Sequence, residues 1–66
     1  MNGYTIGTRL RELRGAKSAE TVAKDIGISV SALFMYERGE RIPRDQIKLR
    51  LASYYNTTVQ DIFFRE

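Results

Sequence analysis

At 66 residues with a formal charge of +3, the chain has the size of one small domain, in a range where only about 60% of the unfolded surface is buried on folding. It contains neither cysteine nor histidine, which excludes a disulfide framework and removes the usual zinc ligands. No apolar run approaches the roughly 20 residues of a membrane span, and the opening MNGYTIGTRLREL has no signal-peptide core, so a cytoplasmic protein is expected.

Taken in chain order, the apolar spacing predicts short helices only. The first covers 5–14, with Thr5 as cap, Ile6, Leu10 and Leu13 as one apolar stripe, and Gly15 as its stop. Ser18 caps a second helix with Glu20 in its first turn and Val22, Ala23 and Ile26 inward. Gly27 and Ile28 turn the chain, Ser29 caps a third helix over 30–38, and Gly39 stops it. After the loop GERIP, a fourth helix over 44–55 turns Ile47, Leu51, Ala52 and Tyr55 inward. Asn56 and Thr57 then turn the chain, and Thr58 caps a short fifth helix over 59–63. No alternating stretch predicts a strand, so the expectation is all-α.

The segment 18–38 carries the functional signal. Ala23 and Gly27 are small and four apart, which lets two short helices approach closely around a turn while Val22, Ile26, Ile28, Leu33 and Tyr36 share one core. That pattern is a helix-turn-helix, whose second helix enters the major groove in DNA-binding proteins. At 100° per residue, Leu33 and Tyr36 face the core, and Ser31, Phe34, Met35 and Arg38 face away, with Val30 at the exposed start. Ser29, Val30, Ser31, Phe34 and Met35 are therefore the candidate base contacts. Ser29 also serves as a cap, and the apolar Val30, Phe34 and Met35 suit thymine methyls rather than hydrogen bonds. Phe34 fits a protein partner equally well. For the phosphates, the helix start at Ser18 offers backbone N–H groups, and Arg38, Arg41, Arg44 and Lys48 offer charge; some of these belong simply to a solvated face.

The pieces RLRELR at 9–14, VAKDIGIS at 22–29, YERGERIP at 36–43 and TTVQDIF at 57–63 together resemble the Cro/cI-type (XRE-like) helix-turn-helix family of bacterial and phage regulators. The resemblance implies a single compact five-helix, lambda-repressor-like domain over 1–66 and a dimer on a pseudo-palindromic operator. By position it puts Ser29, Val30, Ser31 and Met35 at the bases and Arg38 and Arg41 at the backbone. It also implies a structural ion pair between Arg14 and Glu37. The chain departs from the pattern at Ala19, where relatives usually carry Gln, in the short link Gly15-Ala16-Lys17, and in the apolar outer face of the third helix.

These readings predict a sequence-specific transcriptional regulator, a repressor, with double-stranded DNA as partner and no cofactor, metal or small-molecule ligand. Ile62 and Phe64 near the C-terminal end are the expected contacts of a homodimer, with folding back onto the same domain as the other reading for Phe64. The alternative function is an antitoxin-like or antirepressor-like interaction module that uses Phe34 and Met35 as its anchor. Without His or Cys, and without a phosphate-binding glycine loop, no catalytic constellation forms, and an enzyme is not expected.

Overall fold

Side-chain caps set where the first three helices begin in the computed structural model, which describes residues 2–65. The order is α1 (Gly3–Arg14), α2 (Ala19–Ile26), α3 (Val30–Glu37), α4 (Asp45–Tyr54) and a single π-type turn, α5 (Gln60–Phe64). Ser18 and Ser29 cap α2 and α3 as expected. Thr58 Oγ1 accepts from the Asp61 N–H at the start of α5. The first helix differs: it begins two residues early because Asn2, not Thr5, is the cap, its Oδ1 accepting the Thr5 N–H at 3.2 Å. At α4, Arg44 is the capping position and makes no side-chain cap bond.

The core joins Ile6 and Leu10 of α1, Val22, Ala23 and Ile26 of α2, Leu33 and Tyr36 of α3, Leu51 and Ala52 of α4, and Ile62 and Phe63 of α5. α1 packs mainly on α3 and also on α5, while α2 packs on α3 and α4. Two expectations fail here. Leu13 does not extend the apolar stripe; it is 39% exposed. The buried face of α1 centres on Ile6, Gly7 and Leu10 and ends at Arg14, so Leu13 falls at its margin. Ile62 is 1% exposed and belongs to the core, so its side chain is not available to a dimer partner.

Gly7 explains why α1 is centred that way. A Cβ there would lie 2.3 Å from the Glu37 carbonyl oxygen and 2.8 Å from that of Tyr36, so the helices touch backbone to backbone. Only glycine permits this approach.

Candidate nucleic-acid interface

The α2–α3 pair is built from short-range chemistry. The Ser18 hydroxyl accepts the Thr21 N–H, and the Ser29 hydroxyl accepts the Ala32 N–H, both at 3.0 Å. Between them, Gly27 has φ +89°, and the N–H groups of Gly27 and Ile28 both donate to the Ala23 carbonyl at 2.9 Å. That is a left-handed C-cap, which closes the end of α2 and swings the chain into α3.

Side chains from outside the pair then hold it in place. Arg14 donates through Nε to Glu37 Oε2 at 2.8 Å and through Nη2 to Oε1 at 3.1 Å, which ties α1 to the end of α3. This fork raises the Arg14 guanidinium further above its ordinary range, against the opposing effect of burial. The same guanidinium donates through Nη1 to the Lys17 carbonyl at 3.0 Å and so fixes the link before α2. From α4, Arg50 Nη1 donates to the Ile26 carbonyl at 3.3 Å, and the Tyr54 hydroxyl donates to Asp25 Oδ2 at 2.9 Å. Neither tie is legible in the sequence: each joins residues more than twenty positions apart, and both arginine and tyrosine are common on solvated helix faces.

On α3, Leu33, Tyr36 and Glu37 are buried, whereas Ser29, Ser31, Phe34 and Arg38 are exposed and Met35 is half-buried. Val30 packs partly against the core, but Phe34 and Met35 lie outside the core cluster and its fringe. One face of the helix is therefore locked into the domain and the other left open.

A profile of the helix-turn-helix domain family matches residues 5–62. The chain belongs to that family. Among solved structures, it is similar to the crystal structure of the restriction-modification controller protein C.AhdI from Aeromonas hydrophila. The two share 37% identity over 91% of this chain and 94% of that one, with a TM-score of 0.81. The curated proteins contain no match. The protein is thus a DNA-binding transcription regulator of the XRE-like helix-turn-helix type.

The remaining members of the predicted site fall into three groups on the helix-turn-helix frame. Arg41 and Arg44, in the loop after α3 and at the start of α4, are exposed and have no ion-pair partner among the described residues. Arg38 is exposed but occupied: its Nε and Nη2 donate to Glu40 at 2.7 and 3.2 Å, and this holds the Glu40 carboxyl below its usual range. Lys48 leaves the phosphate set. Its side chain is only 10% exposed, with Nζ 5.6 Å and 5.4 Å from the ring centres of Phe63 and Phe64 and 3.6 Å from Asp45 Oδ1. α4 directs that position onto α5, where the stem is buried and the ammonium rests over the aromatic faces. Ala19, at the departure from the family pattern, is buried in the core. Phe64, expected at a dimer contact, is 49% exposed.

Proposed function

We propose that this regulator binds a specific operator by laying α3 in the major groove and represses by occupying the site against polymerase. The observation that carries this reading is the one-sided burial of α3, capped at Ser29 with its opposite face open. Ser29, Val30, Ser31, Phe34 and Met35 meet the base edges; the N–H groups at the start of α2 near Ser18, with Arg41, Arg44 and the Arg38–Glu40 pair, set the register on the phosphates. Two copies bind pseudo-palindromic half-sites about one helical turn apart, roughly 34–36 Å between centres, with Phe64 at the contact between them. The likeness to a restriction-modification controller protein supports control of genes of that kind, in the cytoplasm. Among the described residues no helix is long and apolar enough to cross a membrane.

Selection of binding sites from random duplex DNA with the purified protein tests this. A palindromic winner held far above scrambled DNA at physiological salt is expected. Equal affinities that collapse together as salt rises would reduce the interaction to phosphate attraction. The exposed Phe34 would then favour the second reading, an interaction module that uses Phe34 and Met35 as its anchor.

A further inference from the structure

The outer face of α3 carries few polar groups, and part of their hydrogen-bonding capacity is used within the domain. The Ser29 hydroxyl oxygen accepts the Ala32 N–H, which pins the side chain as a cap and leaves only its O–H to donate. The Nε–Nη2 edge of the Arg38 guanidinium donates to Glu40, which leaves Nη1 and the second Nη2 N–H, and Arg38 stands at the far, C-terminal end of α3. Ser31 is exposed and has no hydrogen bond among those of the described residues, but a serine hydroxyl pairs with any base and discriminates little. What remains is apolar: Phe34, 36% exposed, and Met35, both outside the packed core. With two serine hydroxyls that pair with any base and one half-committed guanidinium at its far end, this face has little hydrogen-bonding power to tell bases apart.

We infer that the operator is read chiefly through the C5-methyl groups of pyrimidines, with Met35 and Phe34 as the methyl-contacting side chains. This rests on the operator reading above and names the feature of the DNA that it recognises. Duplex DNA is the occupant because the face belongs to the second helix of a helix-turn-helix, and because Arg41 and Arg44 follow it in the chain as exposed cations complementary to phosphate. The methyl group of thymine is the one apolar element in the major groove, and its removal from water by a thioether or a ring is favourable. The same contacts accept 5-methylcytosine, whose methyl group occupies the equivalent place.

The test uses the full chain and the best duplex from the selection, at fixed physiological salt. Replacing thymines one at a time by deoxyuridine removes the methyl and leaves every hydrogen-bonding group. At one or more positions in each half-site this is expected to weaken binding by about fourfold per methyl. Where a T·A pair is changed to C·G, placing 5-methylcytosine in the C·G pair is expected to restore part of the loss. In Met35→Ala and Phe34→Ala, checked for folding by circular dichroism, the uracil penalty at the contacted position should vanish. Deoxyuridine that is neutral throughout, or a penalty unchanged in both variants, overturns the inference while the operator reading stands. If the selection yields no preferred sequence, the operator reading itself fails and takes this one with it. Both variants binding the operator like the wild type would assign the apolar face to a protein partner instead.

Discussion

Arg14 and Glu37 make a two-pronged ion pair in which the Glu37 side chain is only 4% exposed. Removing the arginine alone strands a buried carboxylate. Arg14→Ala is therefore expected to lower the unfolding free energy by about 3 kcal/mol in urea titrations, with much of it recovered in the double variant Arg14→Met/Glu37→Leu. A loss below about 1 kcal/mol would mean that water screens the pair. Tyr55 lies in the field of the same two charges. Its phenol is pushed up to about 12, first by burial and then by Glu37, with Arg14 opposing, and its hydroxyl has no hydrogen-bond partner. As pH rises past about 10 the unfolded phenol ionises while the folded one holds its proton. The folded state then binds more protons, so this contribution is intact below about pH 10 and is lost by about pH 12. Tyr55→Phe should flatten that alkaline loss and, since it deletes an unpaired hydroxyl, leave stability at pH 7 equal or raised by up to about 1 kcal/mol. Tyr54, whose phenol is also raised through its bond to Asp25, stays in both proteins and cancels in the comparison. An equally steep alkaline fall in the variant would rule Tyr55 out as the source.

At the scale of the helices, local chemistry is legible and close contact is not. Ser18 and Ser29 are caps because a serine three residues before a free N–H has a hydroxyl within reach of it, which is a property of neighbouring residues. At the first helix Thr5 fits the same rule in sequence, yet Asn2 is the cap, its side chain accepting the Thr5 N–H. Leu13 has the right spacing for a core stripe and still faces water, because the position of a helix's buried face depends on what crosses it. Here that is α3, seated on Gly7. Gly7→Ala would drive a methyl into the Glu37 backbone, which cannot rotate aside as a side chain would. The expected cost is about 1–3 kcal/mol or more in thermal unfolding. Unchanged stability in this variant would show that α1 can lift from α3 freely. Because the contact is at the end of the reading helix, operator affinity should fall with it.

At the scale of the molecule, the useful distinction lies among the cations. By composition Arg41, Arg44 and Lys48 are alike, yet Lys48 sits over Phe63 and Phe64 and Arg41 stands clear. Arg41→Ala should weaken binding to operator and random DNA alike and reduce the slope of log affinity against log salt by about 1. Lys48→Ala should leave that slope unchanged and lower the melting temperature instead. A reduced slope in the lysine variant would return it to the phosphate contacts. Other long-range ties follow the same division: Arg9 donates to the Ile62 carbonyl at 2.9 Å and Arg50 to that of Ile26, so arginines that look like surface charge close helix ends far away in the chain.

The five helices, their stops at Gly15, Gly27 and Gly39, and the helix-turn-helix with one outward face on α3 are legible in the chain. Periodicity, caps and left-handed glycines act over a few residues, and these are printed in order along the chain. It also carried the family, through motifs spread from Arg9 to Phe63. Which of the candidate side chains stay exposed follows from the packing of the helices, not from their spacing. One edge of Arg38 is taken by Glu40 and Lys48 lies over two rings, while Ile62 goes to the core rather than a dimer contact and Leu13 to water rather than the core. Each outcome depends on which helix crosses which, and therefore on contacts between residues that the chain brings together only when its short helices bury their apolar faces against one another.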